Sequence, residues 1–163
     1  MTIRRMEPGD REDWISMTRE FYGSGAVLRP VPDGYFAGTF DALVSGSPFL
    51  DGFVAEEDGT VAASLQVSLT WSNEAGGLVV WLEELYVRPE RRGRGLGTAL
   101  IRRALAEYGG KAARFRLEAE PSNEGAMRLY RRLGFRELPY RQMILTPGEK
   151  TGTEKESGSS ETV

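Results

Sequence analysis

The chain predicts an α/β protein of the α+β kind, a central sheet flanked by helices, and three observations predict it. Hydrophobic spacing switches along the 163 residues between the helical and the strand period, giving the order β-α-α-β-β-β-α-β-α-β-β. Residues 78–87 are apolar on both faces instead of alternating, as a strand in the middle of a sheet is. The length, with 40% hydrophobic and 28% charged residues, suits one globular domain that buries a core of its own.

In chain order, residues 3–6 read as a short strand stopped by Pro8-Gly9. Asp10, with Asp13 three positions on, starts a helix in the manner of a capping box, and Trp14, Ile15, Thr18, Phe21 and Tyr22 stripe its inner side. Gly23-Ser24-Gly25 ends that helix. A loop runs to Pro32, and Asp33 caps a second helix carrying Phe36, Phe40, Leu43 and Val44. Residues 53–56 and 61–71 are strands joined by Glu57-Asp58-Gly59, whose Asp-Gly step signals a hairpin; Val61, Ala63, Leu65, Val67 and Leu69 are expected on one face. A turn over residues 72–77 leads into the central strand.

Leu96, Leu100, Ala104 and Tyr108, four apart, mark the next helix, closed by Gly109-Gly110. Residues 114–120 alternate with Phe115, Leu117 and Ala119 inward. Pro121-Ser122-Asn123 opens a last helix to Leu133, with Gly134 as its C-cap. Residues 135–138 and 141–146 read as a closing hairpin around Pro139-Tyr140. The domain is thus expected over residues 1–147, and the polar run 148–163 is expected to be a disordered tail.

The chemistry-bearing stretch lies where the central strand runs into the third helix, R-P-E-R-R-G-R-G-L-G-T. Glycines at 93, 95 and 97 let backbone amides converge at a helix N-terminus, which favours an anion, and Arg88, Arg91, Arg92, Arg94, Arg102 and Arg103 surround them. No lysine follows, which excludes a Walker loop. The dinucleotide frames starting at Gly93 and Gly95 meet Thr98 and Leu100 where glycine is required. What remains is R-x-x-G-x-G over residues 92–97. On its own this pattern fits either a phosphate cradle or a solvated helix cap.

Absences narrow the chemistry. There is no cysteine and no histidine, which excludes a disulfide framework, a thiolate or imidazole metal site, a Ser-His-Asp triad and a cysteine acyl-enzyme. Acid–base work falls to Glu, Asp, Tyr, Lys or the substrate itself. Two carboxylates, Glu83 and Glu84, stand in the otherwise apolar central strand. Because neighbours on a strand face opposite ways, one of them is expected to enter a cleft, where burial would raise its pKa. Pairing with arginines such as Arg88 or Arg116 is the structural alternative. The net charge of −3 argues against a general nucleic-acid binder, and no apolar run approaches ~20 residues. With no secretory h-region at the N-terminus, the protein is expected in the cytoplasm without a membrane partner.

The R-x-x-G-x-G turn after a strand ending L-Y-V resembles the acyl-CoA pyrophosphate loop of the Gcn5-related N-acetyltransferase (GNAT) superfamily, and so does N-E-G-A-M-R-L-Y-R-R-L-G-F at residues 123–135. The element order resembles that fold from Ile3 to about Thr146. The resemblance implies a mixed, mostly antiparallel sheet of about six to seven strands with four helices, and a splayed central strand pair that holds acyl-CoA. It implies acetyl-CoA as co-substrate with no metal. Cofactor contacts would come from Leu85, Tyr86, Val87, Arg92, Gly93, Arg94, Gly95, Leu96, Gly97, Thr98, Asn123 and Tyr130.

The implied reaction is acetyl transfer to a primary amine, small-molecule or peptide, by direct attack in a ternary complex. Glu83 would be the base, with Glu84 as its alternate, Tyr130 the donor to the leaving thiolate, and the Val87 N–H a carbonyl-polarising group. The loop over residues 23–32, the second helix and the hairpin at Tyr140 would line the acceptor pocket. Tyr22, Tyr35, Phe36 and Trp71 are candidates there, each more readily read as core than as substrate-contacting. A non-catalytic acyl-CoA sensor on the same fold is the competing reading, and homodimer assembly stays open.

Overall fold

The structure is a computed structural model that describes residues 1–24 and 31–147. Among these, five strands form one sheet in the order in which the chain makes them: β1 (Thr2–Arg5), β2 (Leu50–Glu57), β3 (Thr60–Ser72), β4 (Gly77–Val87) and β5 (Ala112–Leu117). The first four pair antiparallel, β1 and β2 across the two-helix segment between them and β2, β3 and β4 through short turns, the β2–β3 turn placing Asp58 and Gly59 at φ +53° and +75°. β5 runs parallel to β4, which requires the crossover that helix α3 (Leu96–Tyr108) supplies, α1 (Arg11–Gly23) and α2 (Asp33–Val44) lying earlier in the chain.

Two cores form, one on each face of the sheet. Phe53, Leu65, Val67, Val80 and Leu82 meet Leu96, Leu100, Ile101 and Tyr108 of α3 on one face. Val54, Val61 and Tyr86 meet Trp14, Met17, Phe36 and Phe40 from α1 and α2 on the other. Helix α4 (Glu124–Arg132) has no buried residue of its own; Leu129 and Tyr130 pack half-buried against the α3-side core. No helix among the described residues is long and apolar enough to cross a membrane.

Several local expectations are corrected. The sheet has five strands, not six or seven: residues 135–147 form no ladder, Pro139 interrupting the run and removing a donor. Met143, Ile144 and Leu145 are accordingly exposed. β5 ends at Leu117, so Ala119 is not on an inner strand face. Val61 faces α1 and α2, opposite Ala63 and Leu65, because the β2–β3 register slips between Ala55 and Glu56, with Ala62 as the extra residue.

Asp10 does not cap α1 with its side chain. Its carboxylate takes two 2.8 Å bonds from Arg4 and one from the Glu7 N–H, an arrangement that leaves it 5% exposed. Asp33 likewise spends its carboxylate on Arg19 at 2.8 Å, and Pro32 holds the cap position. The expected tail over residues 148–163, and most of the loop between the first two helices, lie outside the described residues.

Candidate active site

The site grows from an irregularity in β4. Gln66 pairs with Glu84, but the next residue, Val67, pairs with Leu82, so Glu83 is an extra residue bulged out of the ladder. The bulge re-phases the strand. Val80 and Leu82 before it and Leu85 and Val87 after it all face the α3 side, while Glu84 and Tyr86 face α1. Glu83 also turns to the α1 face, where its carboxylate accepts from the Ser68 hydroxyl, and Glu84 accepts from the Tyr22 hydroxyl. Strict alternation had allowed one of the two glutamates into a cleft; the bulge admits both.

Their surroundings differ. Glu83 is exposed. Glu84 is largely buried, and burial raises its pKa above the ordinary glutamate value. The Glu83 charge adds to the rise, and the bond from Tyr22 opposes it. Tyr22 is raised in turn, by burial and by the carboxylate it donates to. None of the sheet's arginines pairs with either glutamate among the described residues, since Arg88 is taken by Asp13 and Glu20 at 3.1 Å each and Arg116 stacks over Trp81 at 4.2 Å.

Beyond the bulge, β4 has an open edge. β5 pairs with it only as far as Leu82–Leu117. On the other edge, the 3.0 Å bond from the Arg88 N–H to the Ala62 carbonyl makes Ala63–Val87 a non-hydrogen-bonded pair, so the Val87 N–H points away from β3 into the gap. Leu85, two residues back in the same phase, points the same way. The Tyr86 side chain is committed elsewhere: its hydroxyl donates to Glu20 at 2.7 Å, and burial with that partner pushes its pKa up to about 12. Its backbone is committed as well, because Tyr86 is opposite in phase to Leu85 and Val87 and so turns its N–H and C=O to Ser64 of β3.

The glycine turn follows. Gly93 and Gly95 adopt φ of +76° and +84°, values that favour glycine, and a Cβ added at either would meet nothing within 4 Å. The first intrahelical bond of α3 is Ala99 N–H to the Gly95 carbonyl at 2.9 Å, so the amides of Leu96, Gly97 and Thr98 precede the ladder. Gly97 brings this turn against the open edge: a Cβ there would touch Leu85 Cδ2 at 3.4 Å, Val87 Cγ2 at 3.8 Å and Leu129 Cδ2 at 3.9 Å.

Amides at a helix N-terminus, open space above them and a neighbouring strand edge with free donors fit a pyrophosphate followed by an extended amide-bearing arm. The arginines contribute less than their number implied. Arg91 pairs with Glu57 and Asp58, Arg94 lies 3.7 Å from Glu57, and Arg103 pairs with Glu107. Arg92 donates back to the Val87 carbonyl at 3.1 Å and lies over the Tyr86 ring. Backbone, not guanidinium, dominates the cradle.

Tyr130 and both glutamates line one groove of about 2070 Å³ between β4, β5, α4 and residues 133–142; the glycine turn stands on the surface outside it. Tyr130 packs edge-on to Phe135 at 6.1 Å, and burial raises its hydroxyl pKa. Asn123 caps α4, its Oδ1 accepting from the Ala126 N–H at 3.1 Å, so only its side-chain NH₂ is free to donate.

A second, smaller cavity of about 270 Å³ lies on the α1 side of the sheet and shares Tyr22 and Glu84 with the groove. Phe36 is in its wall and in the core, Tyr35 is in its wall though 68% exposed, and Trp71, 74% exposed, lines neither cavity; Tyr35 and Trp71 belong to no core cluster. Gln66 also lines this cavity. Sequence reading passed it over, because a polar residue alternating with Leu65 and Val67 looks like an ordinary outward position.

The acetyltransferase (GNAT) family model matches residues 13–135. An uncharacterized N-acetyltransferase of Methanocaldococcus jannaschii is 41% identical over 88 residues, 52% of this chain and 38% of that protein. The thialysine N-epsilon-acetyltransferase of Sus scrofa is 37% identical over 70 residues, 42% of this chain and 39% of that protein. The chain thus spans less than half the length of either relative. In fold it is similar to an aminoglycoside N-acetyltransferase solved in complex with CoA, with a TM-score of 0.73 at 22% identity, covering 90% of this chain and 94% of that one.

Proposed function

Because the chain belongs to the acetyltransferase (GNAT) family, we propose that it transfers the acetyl group of acetyl-CoA to a primary amine by direct attack in a ternary complex. The observation that carries this reading is the bulge at Glu83, which sets a buried carboxyl of raised pKa beside a strand edge with free amides. A binding-only module has use for the edge and the glycine turn but none for a desolvated carboxylate at their junction.

Acetyl-CoA supplies an activated acetyl group as its thioester. The amides of Leu96, Gly97 and Thr98, with the Gly93 and Gly95 turn before them, hold its pyrophosphate, and Leu85 and Val87 hold the arm through their backbone groups. Arg92 and Arg94 shape the turn, and Asn123 fixes the start of α4 next to the arm. The Val87 N–H polarises the acetyl carbonyl.

Glu84 takes the proton that the attacking ammonium must lose, directly or through one water. Its raised pKa is the environment's way of bringing a carboxylate toward the range a base needs. Glu83, exposed one residue away, draws the cationic acceptor to the mouth of the site; it is the residue that the family pattern would make the base, and the pH profiles of the two Gln variants separate the two. Tyr130 gives its hydroxyl proton to the thiolate as the C–S bond breaks and the N–C bond forms, and the second proton that the nitrogen loses on becoming an amide returns through water to the tyrosinate. The acceptor pocket lies against α1 and α2, with Tyr22 and Phe36 in its wall.

The test is a panel of primary amines assayed for free-thiol release from acetyl-CoA, with the acetylated amine identified by mass. Thiol and acetylated amine should appear in equal amounts. Intact acetyl-CoA binding with no release across the panel would make the protein a sensor.

A further inference from the structure

We propose that Gln66 determines acceptor specificity: with Glu84 it forms a two-point cradle for the acceptor's ammonium group, and the recess around it selects an aliphatic primary amine with no anionic group beside the nitrogen. This deepens the acetyl-transfer reading and rests on it.

Gln66 and Glu84 are direct cross-strand partners on the α1 face. Directly opposed residues on one face hold their Cβ atoms about 4.5–5.5 Å apart, so one nitrogen can reach both side chains. The Gln66 Oε1 is buried and has no hydrogen-bond donor, the one such side-chain atom among the described residues. A buried acceptor left without a donor is costly, and in a native protein such an atom marks a place where a partner is missing. The carboxamide turns about a broad terminal torsion, so either end can be presented to the recess.

An ammonium group is the partner that fits, with three donors and no acceptor. Tyr22 already occupies part of the Glu84 carboxylate, and the remaining lone pairs with Gln66 Oε1 match what the ammonium offers.

The recess also says what the rest of the acceptor is. Its lining sets the apolar faces of Trp14, Val31 and Phe36 beside Thr18, Tyr22, Tyr35 and Thr39, and among the described residues no lysine or arginine lines it. A carboxylate or phosphate next to the amine would be desolvated without a counter-charge and would face Glu84. A volume of about 270 Å³ corresponds to roughly nine liquid waters, enough for a short alkyl chain and too little for a folded peptide end. Because the recess meets the large groove at Tyr22 and Glu84, the nitrogen sits at the junction with the chain behind it.

The experiment pairs Gln66→Met, which keeps length and loses the acceptor, with Gln66→Glu, which keeps an acceptor. Probes are n-butylamine and its carboxylated counterpart norvaline, and 1,4-diaminobutane against ornithine. Gln66→Met should raise the KM for n-butylamine by about tenfold to a hundredfold, the range for a lost hydrogen bond to a charged group. It should leave the KM for acetyl-CoA and the Tm in place, while Gln66→Glu should not raise the amine KM. Wild type should prefer each amine to its amino acid by tenfold or more in kcat/KM.

An unchanged amine KM in Gln66→Met, or equal use of norvaline and n-butylamine, overturns the proposal and leaves acetyl transfer standing. If no probe turns over, calorimetric titration of n-butylamine decides: binding to wild type but not to Gln66→Met keeps the cradle and removes the enzyme, and no binding to either removes both. Should Gln66→Met lose the fold, Gln66→Asn, which withdraws the carboxamide by one methylene, gives the same readout.

Discussion

Tyr22→Phe is the substitution that tests the base most directly. It deletes one hydroxyl, the donor to the Glu84 carboxylate, and leaves the ring against Phe21 and Phe36. That bond favours the ionised form of Glu84, against the burial and the Glu83 charge that disfavour it. A hydrogen bond to a charged group is worth about 1.5–3 kcal/mol, so losing it moves the Glu84 pKa further up. The groove keeps solvent near the carboxylate, which favours the lower figure.

If ionised Glu84 is the proton acceptor, the acidic limb of the kcat/KM–pH profile reports it. Tyr22→Phe should displace that limb upward, a loss of about tenfold on the limb with none on the plateau. Glu83→Gln should displace it downward, because the like charge that raises Glu84 is gone. The opposite signs are what make the pair informative. An unmoved limb in Tyr22→Phe refutes the assignment, and a limb that vanishes in Glu83→Gln while surviving in Glu84→Gln makes Glu83 the base.

Glu84 also links to stability: the folded state holds its proton to higher pH than the unfolded chain, so stability falls as pH rises from the ordinary glutamate value through the raised one. Glu84→Gln should therefore melt higher than wild type at pH 8 and not at pH 4, by scanning calorimetry. Asp10 has the opposite sign. Burial works against its charge, but the Arg4 guanidinium and the Glu7 amide hold its pKa below the usual range. Its contribution is present above the ordinary aspartate value and lost as pH falls through the lowered one, and Asp10→Asn should cost about 1.5–3 kcal/mol in urea unfolding at pH 7, since Arg4 keeps Glu56 at 3.1 Å. Gly95→Asp puts a side chain and a negative charge on a residue at φ +84°, so acetyl-CoA affinity by calorimetric titration should fall beyond detection in a folded variant; unchanged affinity removes the glycine turn from the site. Tyr130→Phe should leave that affinity in place and slow turnover by up to ~10²–10⁴-fold in a stopped-flow thiol assay, and a full-rate variant would release Tyr130 from acid duty.

Local physics made much of the site legible without coordinates. Gly93, Gly95 and Gly97 announce a turn that other residues resist, and Gly93 and Gly95 do take left-handed φ. Val80 and Leu82 are apolar on a strand that is buried in the sheet, and Leu100 and Ala104 keep helical spacing on a helix that covers it. Patterns failed where a residue's surroundings, not its neighbours in the chain, set its role. The alternation in residues 141–146 made a plausible strand, yet those residues carry no ladder, since a strand exists only with a partner edge. Arg88 and Arg91 looked like phosphate ligands beside three glycines, and carboxylates from α1 and the β2–β3 turn claim them instead.

By itself the sequence determined the family, the glycine turn before α3, the pair of glutamates in an apolar strand, and the exclusion of histidine and cysteine chemistry. The family shows through the resemblance of residues 92–97 and 123–135 to its motifs; the rest follow from composition and from contacts within a few residues, which spacing encodes. Tertiary structure alone decided that Glu83 and Glu84 share a face, that Tyr22 donates to one of them, and that Gln66 stands opposite with a buried unpartnered oxygen. The physical reason is register. A single bulged residue inverts which side every later side chain of a strand faces, and the slip is defined only by two strands together, never by the sequence of one.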